Sequence, residues 1–316
     1  MLNGARVGVV VPAYNEEEQI GIVLSQMPDF VDTIIVVDDA SRDGTVEAAR
    51  DHKERMSGRL IILQHERNKG VGAAITTGYK KAVEQGIDVV AVMAGDAQMD
   101  PQDLRDLVAP VTEKRAEYTK GNRLFTSEGW SLIPRYSFLG NLILSFLTKV
   151  ASGYWHVADS QTGYTAISLS ALRRMNLDRL YPRYGFPNDI LVKLNVIGAR
   201  VIDVPITPLY KVGERSGIRV WRVMPVMVWL LIKGFFYRMF QKYIVQSLHP
   251  LVLFYAMGGL LLPAGLLLGL YLLVYRITTG GISASSSLLS AFLLISGLQL
   301  WLFGMLFDYL DNARLR

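Results

Sequence analysis

VGVVVPAYNEE, residues 7–17, runs five residues without a polar side chain into Pro12 and then a turn carrying Tyr14, Asn15, Glu16 and Glu17. A run this short, rich in valine and lacking polar alternation, suits a strand buried on both faces. The same pattern recurs at residues 33–38, 60–64 and 89–93, each closed by a polar turn. Helical patterns fill the gaps at 17–26, 45–55 and 71–85. A fourth begins at Pro101, with Asp100 placed as N-cap and proline at the first helical position. The alternation β-α-β-α-β-α-β predicts an α/β class, a doubly wound, Rossmann-like and mostly parallel sheet. Ligands of such sheets sit outside the carboxyl ends of the strands, so the turns are where chemistry is expected.

Those turns read Pro12-Ala13-Tyr14-Asn15-Glu16, Asp38-Asp39-Ala40-Ser41, Arg67-Asn68-Lys69-Gly70 and Ala94-Gly95-Asp96-Ala97-Gln98-Met99-Asp100. One strand end with Asp or Gly is usually only a turn. Four along one edge predict a polar crevice. Other chemistries are disfavoured: Gly70-Val71-Gly72 is followed by Ile75 where a dinucleotide fingerprint needs glycine, and no phosphate-binding P-loop sequence occurs. His52, His65, His156 and His249 lack metal-ligand spacing, and the chain has no cysteine.

The C-terminal third is a different polymer. Hydrophobic residues are 51% of the chain and mean hydropathy is +0.26, and the excess begins near residue 223. Residues 251–275 and 288–307 are uncharged runs of 25 and 20 residues, joined by the polar linker 277–287. Either run, as a helix rising ~1.5 Å per residue, crosses a hydrocarbon layer of ~30 Å. Lys211, Arg215, Arg219, Arg222, Lys233, Arg238 and Lys242 precede the first run, and Arg314 and Arg316 follow the second. Both outer ends are then cytoplasmic, and the turn faces out. The net charge of +5 is modest and concentrated here, which indicates a membrane surface and not nucleic acid as partner. Residues 223–245 are apolar but interrupted by cations; Lys233, Arg238, Gln241 and Lys242 share half a helical wheel. That pattern predicts interfacial helices, broken near Pro225 or Gly234. Gly265 and Gly269 form a small-xxx-small pair that permits close helix approach, within the hairpin or in a homo-oligomer.

The strand-end turns, Gly121-Asn122-Arg123, Asp159-Ser160-Gln161-Thr162-Gly163-Tyr164 and the membrane hairpin together resemble the family 2 inverting glycosyltransferases. The branch is that of dolichyl-phosphate mannose synthases and polyprenyl-phosphate glucosyltransferases, and the resemblance covers nearly the whole chain. It implies a GT-A domain at 1–215, a juxtamembrane interfacial connector at 216–247 and a two-helix transmembrane hairpin with a short tail at 248–316. The implied reaction is inverting transfer of a hexose from a GDP- or UDP-sugar to polyprenyl or dolichyl phosphate. Pro12, Tyr14, Glu16, Asp38, Asp39 and Lys69 would form the nucleotide site. Asp96 and Gln98 would hold Mg²⁺ or Mn²⁺ on the diphosphate, where hard oxygen ligands suit the ion. Asp96, Arg123 and Asp159 would be catalytic, and Arg123, Arg135, Lys211, Arg215 and Arg219 would bind the acceptor phosphate. One departure stands out: mannose synthases usually carry Asp-Ala-Asp-x-Gln, and here the first Asp is Ala94. The Gln-x-x-Arg-Trp motif of processive polysaccharide synthases is absent. Two other readings stay open: a glycolipid synthase acting on a lipid hydroxyl, with Asp159 or Asp189 as base, and a silent membrane scaffold keeping a degenerate pocket.

Overall fold

The computed structural model describes residues 1–53, 56, 58–123, 135–207, 209 and 220–316, with backbone only for 135–142 and 220–222. The chain separates into two compact units, Met1–Phe236 with Leu315–Arg316, and Tyr237–Arg314.

The first unit is built on a seven-stranded sheet of order β3-β2-β1-β4-β6-β5-β7. The strands are β1 (Val7–Ala13), β2 (Thr33–Asp38), β3 (Leu60–Gln64), β4 (Val89–Val92), β5 (Tyr118–Asn122), β6 (Thr165–Ser168) and β7 (Val201–Pro205). All pairings are parallel except those of β6, which runs against β4 and β5. Helices α1 (Glu17–Ser25), α2 (Thr45–Asp51), α3 (Val71–Glu84) and α4 (Leu104–Thr112) alternate with the first strands. Both faces of the sheet are covered: Val7, Val9, Val11, Ile34 and Val36 enter one core cluster, and Val10, Ile35 and Val37 the other. That is why the runs carry no polar alternation. Asp100 caps a short 3-10 turn, Pro101–Asp103, accepting from Gln102 N at 2.8 Å, and α4 follows.

Further on come α5 (Arg135–Ser152), α6 (Leu169–Arg174), α7 (Phe186–Val196) and α8 (Val220–Arg238). Helix α8 runs unbroken through Pro225 and Gly234, where a break was expected. Its buried residues Met227, Leu231 and Gly234 recur at helical spacing. Leu230 packs so close to Gly185 that a Cβ there would lie 2.3 Å from Leu230 Cδ2, and one on Gly234 would lie 3.1 Å from Val192. The opposite side exposes Val226, Trp229 and Phe236.

Within the second unit the helix continues as a π-helix, Met239–Gln246. Two 29-residue helices follow, α9 (Leu251–Thr279) and α10 (Ala284–Asn312); α9 begins where its uncharged run does and outlasts it, and α10 is longer than its run at both ends. Gly258, Gly265 and Gly297 let their backbones meet; a Cβ on Gly265 would lie 2.8 Å from Leu294 N, and one on Gly269 3.0 Å from Ser290 Oγ. The small-residue pair is therefore used inside the hairpin. Among the described residues three helices are long and apolar enough to cross a membrane, Val223–Gln246, Leu251–Thr279 and Ala284–Leu315, where two spans were expected.

The cations of the connector do not share one outward face as the wheel suggested. Arg238 is fully buried and grips Asp308 with both ends of its fork, at 2.7 and 2.8 Å. Tyr243 Oη donates to the same carboxylate at 2.7 Å, and Lys242 meets Asn312 Oδ1 at 2.5 Å and Asp311 at 3.3 Å. Removing one partner of such a pair leaves a bare buried charge, so Asp308→Ala should cost about 3–5 kcal/mol of stability. The double change Arg238→Met with Asp308→Leu should cost far less. Thermal unfolding of the detergent-solubilised chain reads both.

Candidate active site

The sheet's register collects the turns. Ala13 stands beside Asp38, so β1 and β2 end level with one another, whereas β4 ends at Val92, beside Val10 and short of their ends. Hydrogen bonds from Met93 N to Val10 O and from Gly95 N to Pro12 O, at 3.0 and 3.1 Å, carry the β4 chain onward past β1. Asp96 is thereby delivered next to the Pro12–Glu16 turn. The strand order reverses between β1 and β4, the switch point at which such sheets bind ligands.

A cavity of about 420 Å³ opens there, lined among others by Pro12, Tyr14, Glu16, Asp39, Gly95 and Asp96. Each turn around it carries a residue in the left-handed region: Asn15 (φ 57°), Ala40 (φ 61°), Gly70 (φ 101°) and Ala97 (φ 57°). Alanine gains nothing from that conformation, so the strain at Ala40 and Ala97 marks loops held in place by their surroundings. At Ala97 the holding groups are visible. Asp96 Oδ1 accepts from Gln98 N at 3.1 Å, Tyr164 Oη donates to Asp100 O at 2.9 Å, and Leu209 N donates to Gln98 O at 3.1 Å.

Asp38 is buried and accepts from Ser41 N, so it supports its own loop. Asp39 lines the cavity, but its oxygens are occupied by Lys69 N at 2.8 Å, Gly70 N at 2.7 Å and His65 Nδ1 at 2.7 Å. It thus ties β2 to the glycine turn, and the Lys69 side chain points to solvent. Gly70 and Gly72 sit under the Tyr181–Pro182 backbone, where a Cβ on Gly72 would lie 2.3 Å from Tyr181 O. That packing brings Arg183 and Tyr184 into the cavity wall. Nothing local in YPRYGFP marks them, because the wall is made by a tertiary contact.

A second group of charges lies along the same edge. Val92 is paired with Thr165, so the turn before antiparallel β6 meets the end of β4, and β5 ends beside them. Arg123, just past β5, donates Nε to Asp159 Oδ2 at 2.7 Å and Nη2 to Oδ1 at 3.1 Å. Burial pushes the Asp159 carboxyl up, but the Arg123 fork, Lys120 and Gln161 N outweigh it and hold it below the usual range. Beneath this pair lie Lys120 and Asp203, both missed from sequence. The available signal was an aspartate inside the apolar run of residues 201–205; the lysine sits in a strand, residues 118–122, that is itself largely polar. Arg135 opens α5, but its side chain, together with Lys211, Arg215 and Arg219, lies outside the described residues. Asp189 accepts from Tyr181 N at 2.8 Å and pairs with Lys193.

The family model for glycosyl transferase family 2 matches residues 8–175, and the chain belongs to that family. It is similar to the UDP-N-acetylglucosamine–dolichyl-phosphate N-acetylglucosaminyltransferase of Methanococcus voltae, with 33% identity over 214 residues, 64% of this chain and 85% of that one. It is also similar to the undecaprenyl-phosphate mannosyltransferase of Micrococcus luteus, 29% identical over 205 residues, 64% and 83% of the two chains. Among solved structures, glucosyl-3-phosphoglycerate synthase from Mycobacterium tuberculosis, determined with Mn²⁺, UDP and phosphoglyceric acid, superposes with a TM-score of 0.55. That match covers 74% of this chain and 78% of the other at 19% identity, and it establishes the GT-A-like fold.

Proposed function

We propose that this glycosyltransferase moves a hexose, with inversion, from a UDP- or GDP-sugar to polyprenyl or dolichyl phosphate. The observation that carries the reading is the Arg123–Asp159 fork on the same sheet edge as the Asp96 cavity. The named relatives act on lipid phosphates. Pro12, Tyr14 and Glu16 would line the nucleotide, Asp38, Asp39 and the Lys69 backbone would shape its wall, and Arg183 would face its phosphates.

The donor set suits a hard divalent ion that arrives with its phosphate. No cluster of three or more acidic, His or Cys ligands occurs among the described residues, and Mg²⁺ commonly takes one or two carboxylates plus phosphate oxygens. Asp96 would supply the carboxylate and Gln98 an amide oxygen. When bound, Mg²⁺ or Mn²⁺ neutralises charge developing on the leaving diphosphate. Arg123 orients the acceptor, and Asp159 fixes Arg123. A hydroxyl acceptor would need a base; Asp159 is poorly basic in its fork, and Asp189 is engaged by Tyr181 and Lys193. A panel of UDP- and GDP-sugars, assayed with polyprenyl phosphate in detergent and the product identified by mass, tests the reading. Transfer only to lipid alcohols would overturn it.

The division into a catalytic domain at 1–215, a connector at 216–247 and a hairpin at 248–316 belongs to the same proposal. Helix α8 has one side packed on Gly185 and Val192, so lying at the interface suits it better than crossing the bilayer. Two spans then put both ends on one side of the bilayer, and the cations flanking the hairpin favour the cytoplasm as that side. The chain has no cysteine. Cysteine placed at exposed Ser285 should react with an impermeant maleimide on intact cells, and cysteine at exposed Glu47 should not. Labelling at Glu47 would reverse the orientation.

A further inference from the structure

A fully buried lysine stands beneath the acceptor side of the site, and the reaction above gives it no role. Lys120 is 0% exposed within β5. Its ammonium donates to Thr162 O at 2.6 Å, in the turn that carries Asp159 and Gln161. It forms no direct ion pair among the described residues. Taking an ammonium out of water costs several kcal/mol, and a plain core position would be filled by valine or isoleucine.

The groups around it are accounted for. Asp203 is its register partner on parallel β7, so the two side chains share a sheet face. Asp203 Oδ2 accepts from Asn122 Nδ2 and Ala158 N, both at 2.8 Å, while no donor among the described residues reaches the buried Oδ1. From the turn before β6 comes Asp159, already forked by Arg123. His156 lies beyond Asp203 and bonds Val201 O through Nε2 at 2.9 Å. Two cations therefore face two carboxylates, and Lys120 is the member with no outlet to solvent.

We propose that Lys120 is a positioning residue for sugar transfer, holding the Asp159–Thr162 turn and, through Asp159, the Arg123 fork at the acceptor phosphate. This rests on the phosphate-acceptor reading. With Lys120 charged, Asp159 and Asp203 are balanced, and Arg123 keeps its attraction for phosphate. Once Lys120 is neutral, the cluster carries a net negative charge and repels the acceptor. Burial draws the Lys120 ammonium down to about 8, with Asp159 and Asp203 resisting and Arg123 adding to the fall. The cation is present below that pH and lost above it.

The experiment uses the full chain in detergent, with the UDP- or GDP-sugar that supports transfer. It measures kcat/KM for polyprenyl phosphate from about pH 6.5 to about pH 9.5, with UDP and GDP binding followed by calorimetry. Wild type should show an alkaline limb near pH 8, falling about tenfold per pH unit. Asp203→Asn keeps an acceptor for Asn122 and Ala158 but removes a charge that holds the proton on Lys120. Its limb should move about one unit lower. Lys120→Met should abolish the limb and lower kcat/KM at neutral pH about tenfold or more, with nucleotide affinity changed less than about twofold. A limb at the same pH in Asp203→Asn overturns the inference even if Lys120→Met fails to fold. So does a parallel loss of nucleotide binding in both variants. A wild-type chain that transfers nothing to polyprenyl phosphate sinks the functional reading itself, whereas transfer without a movable limb sinks only the role of Lys120.

Discussion

Asp96→Asn should lose transfer by roughly a hundredfold to a thousandfold, the scale of removing an electrostatic stabiliser of developing charge. The substitution isolates charge from shape. Asn keeps an oxygen for Gln98 N, which Asp96 Oδ1 accepts at 3.1 Å, so the loop around Ala97 should persist. Ala94 contributes no carboxylate, so little is left at this strand end to compensate, and excess Mn²⁺ should restore little. Mn²⁺ binding in the presence of UDP or GDP, read by proton relaxation, should weaken in step with activity. Ala94→Asp should act in the opposite sense, tightening Mn²⁺ without disturbing the fold. Near-normal turnover in Asp96→Asn would remove the residue from the metal site.

The parallel half of the sheet and its crevice were legible because local chemistry dictates them. Residues 7–11, 33–38 and 89–92 lie in strands buried on both faces, and a sequence can show that without tertiary knowledge, while 60–64 read the same way but form a partly covered strand at the edge of the sheet. Asp100 behaved as a cap for the same reason. What escaped depends on neighbours distant in sequence. Asp39 reads as a free strand-end acid, yet two backbone amides and His65 occupy it. Arg238 and Lys242 read as surface cations, because Asp308, Asp311 and Asn312 arrive about seventy residues later. Helical periodicity reports which residues share a face, not what covers that face. Lys120 gives a weaker signal, because its strand, Tyr-Thr-Lys-Gly-Asn, is itself largely polar and only the pairing of β5 between β6 and β7 buries the charge.

Arg123→Ala should lower kcat/KM for polyprenyl phosphate by about a hundredfold to a thousandfold while changing nucleotide affinity little. A phosphate monoester is already largely dianionic near neutral pH, since its second pKa is ~6, so it can attack without giving the protein a proton. The difficulty is repulsion. Acceptor phosphate and donor diphosphate must approach closely, and two unit charges at ~4 Å repel by roughly 4 kcal/mol at an effective dielectric of 20. Arginine answers that with charge and with directed hydrogen bonds from the guanidinium edge that is not turned to Asp159. The Arg123 side chain is about one-third exposed while Asp159 is nearly buried, so the carboxylate anchors an arginine that reaches the surface of the site. Arg123→Lys keeps the charge and loses the fork, and should recover only part of the activity. Asp159→Asn should fall between wild type and Arg123→Ala, because it loosens the fork without removing it. Because Arg123→Ala also leaves Asp159 without its cation, thermal unfolding must confirm that the variants remain folded. Each variant is assayed against polyprenyl phosphate and polyprenol. Arg123 variants matching wild type on the phosphate, or a polyprenol that outperforms it, would transfer the assignment to a hydroxyl acceptor. The base would then have to be sought outside the Asp159 fork.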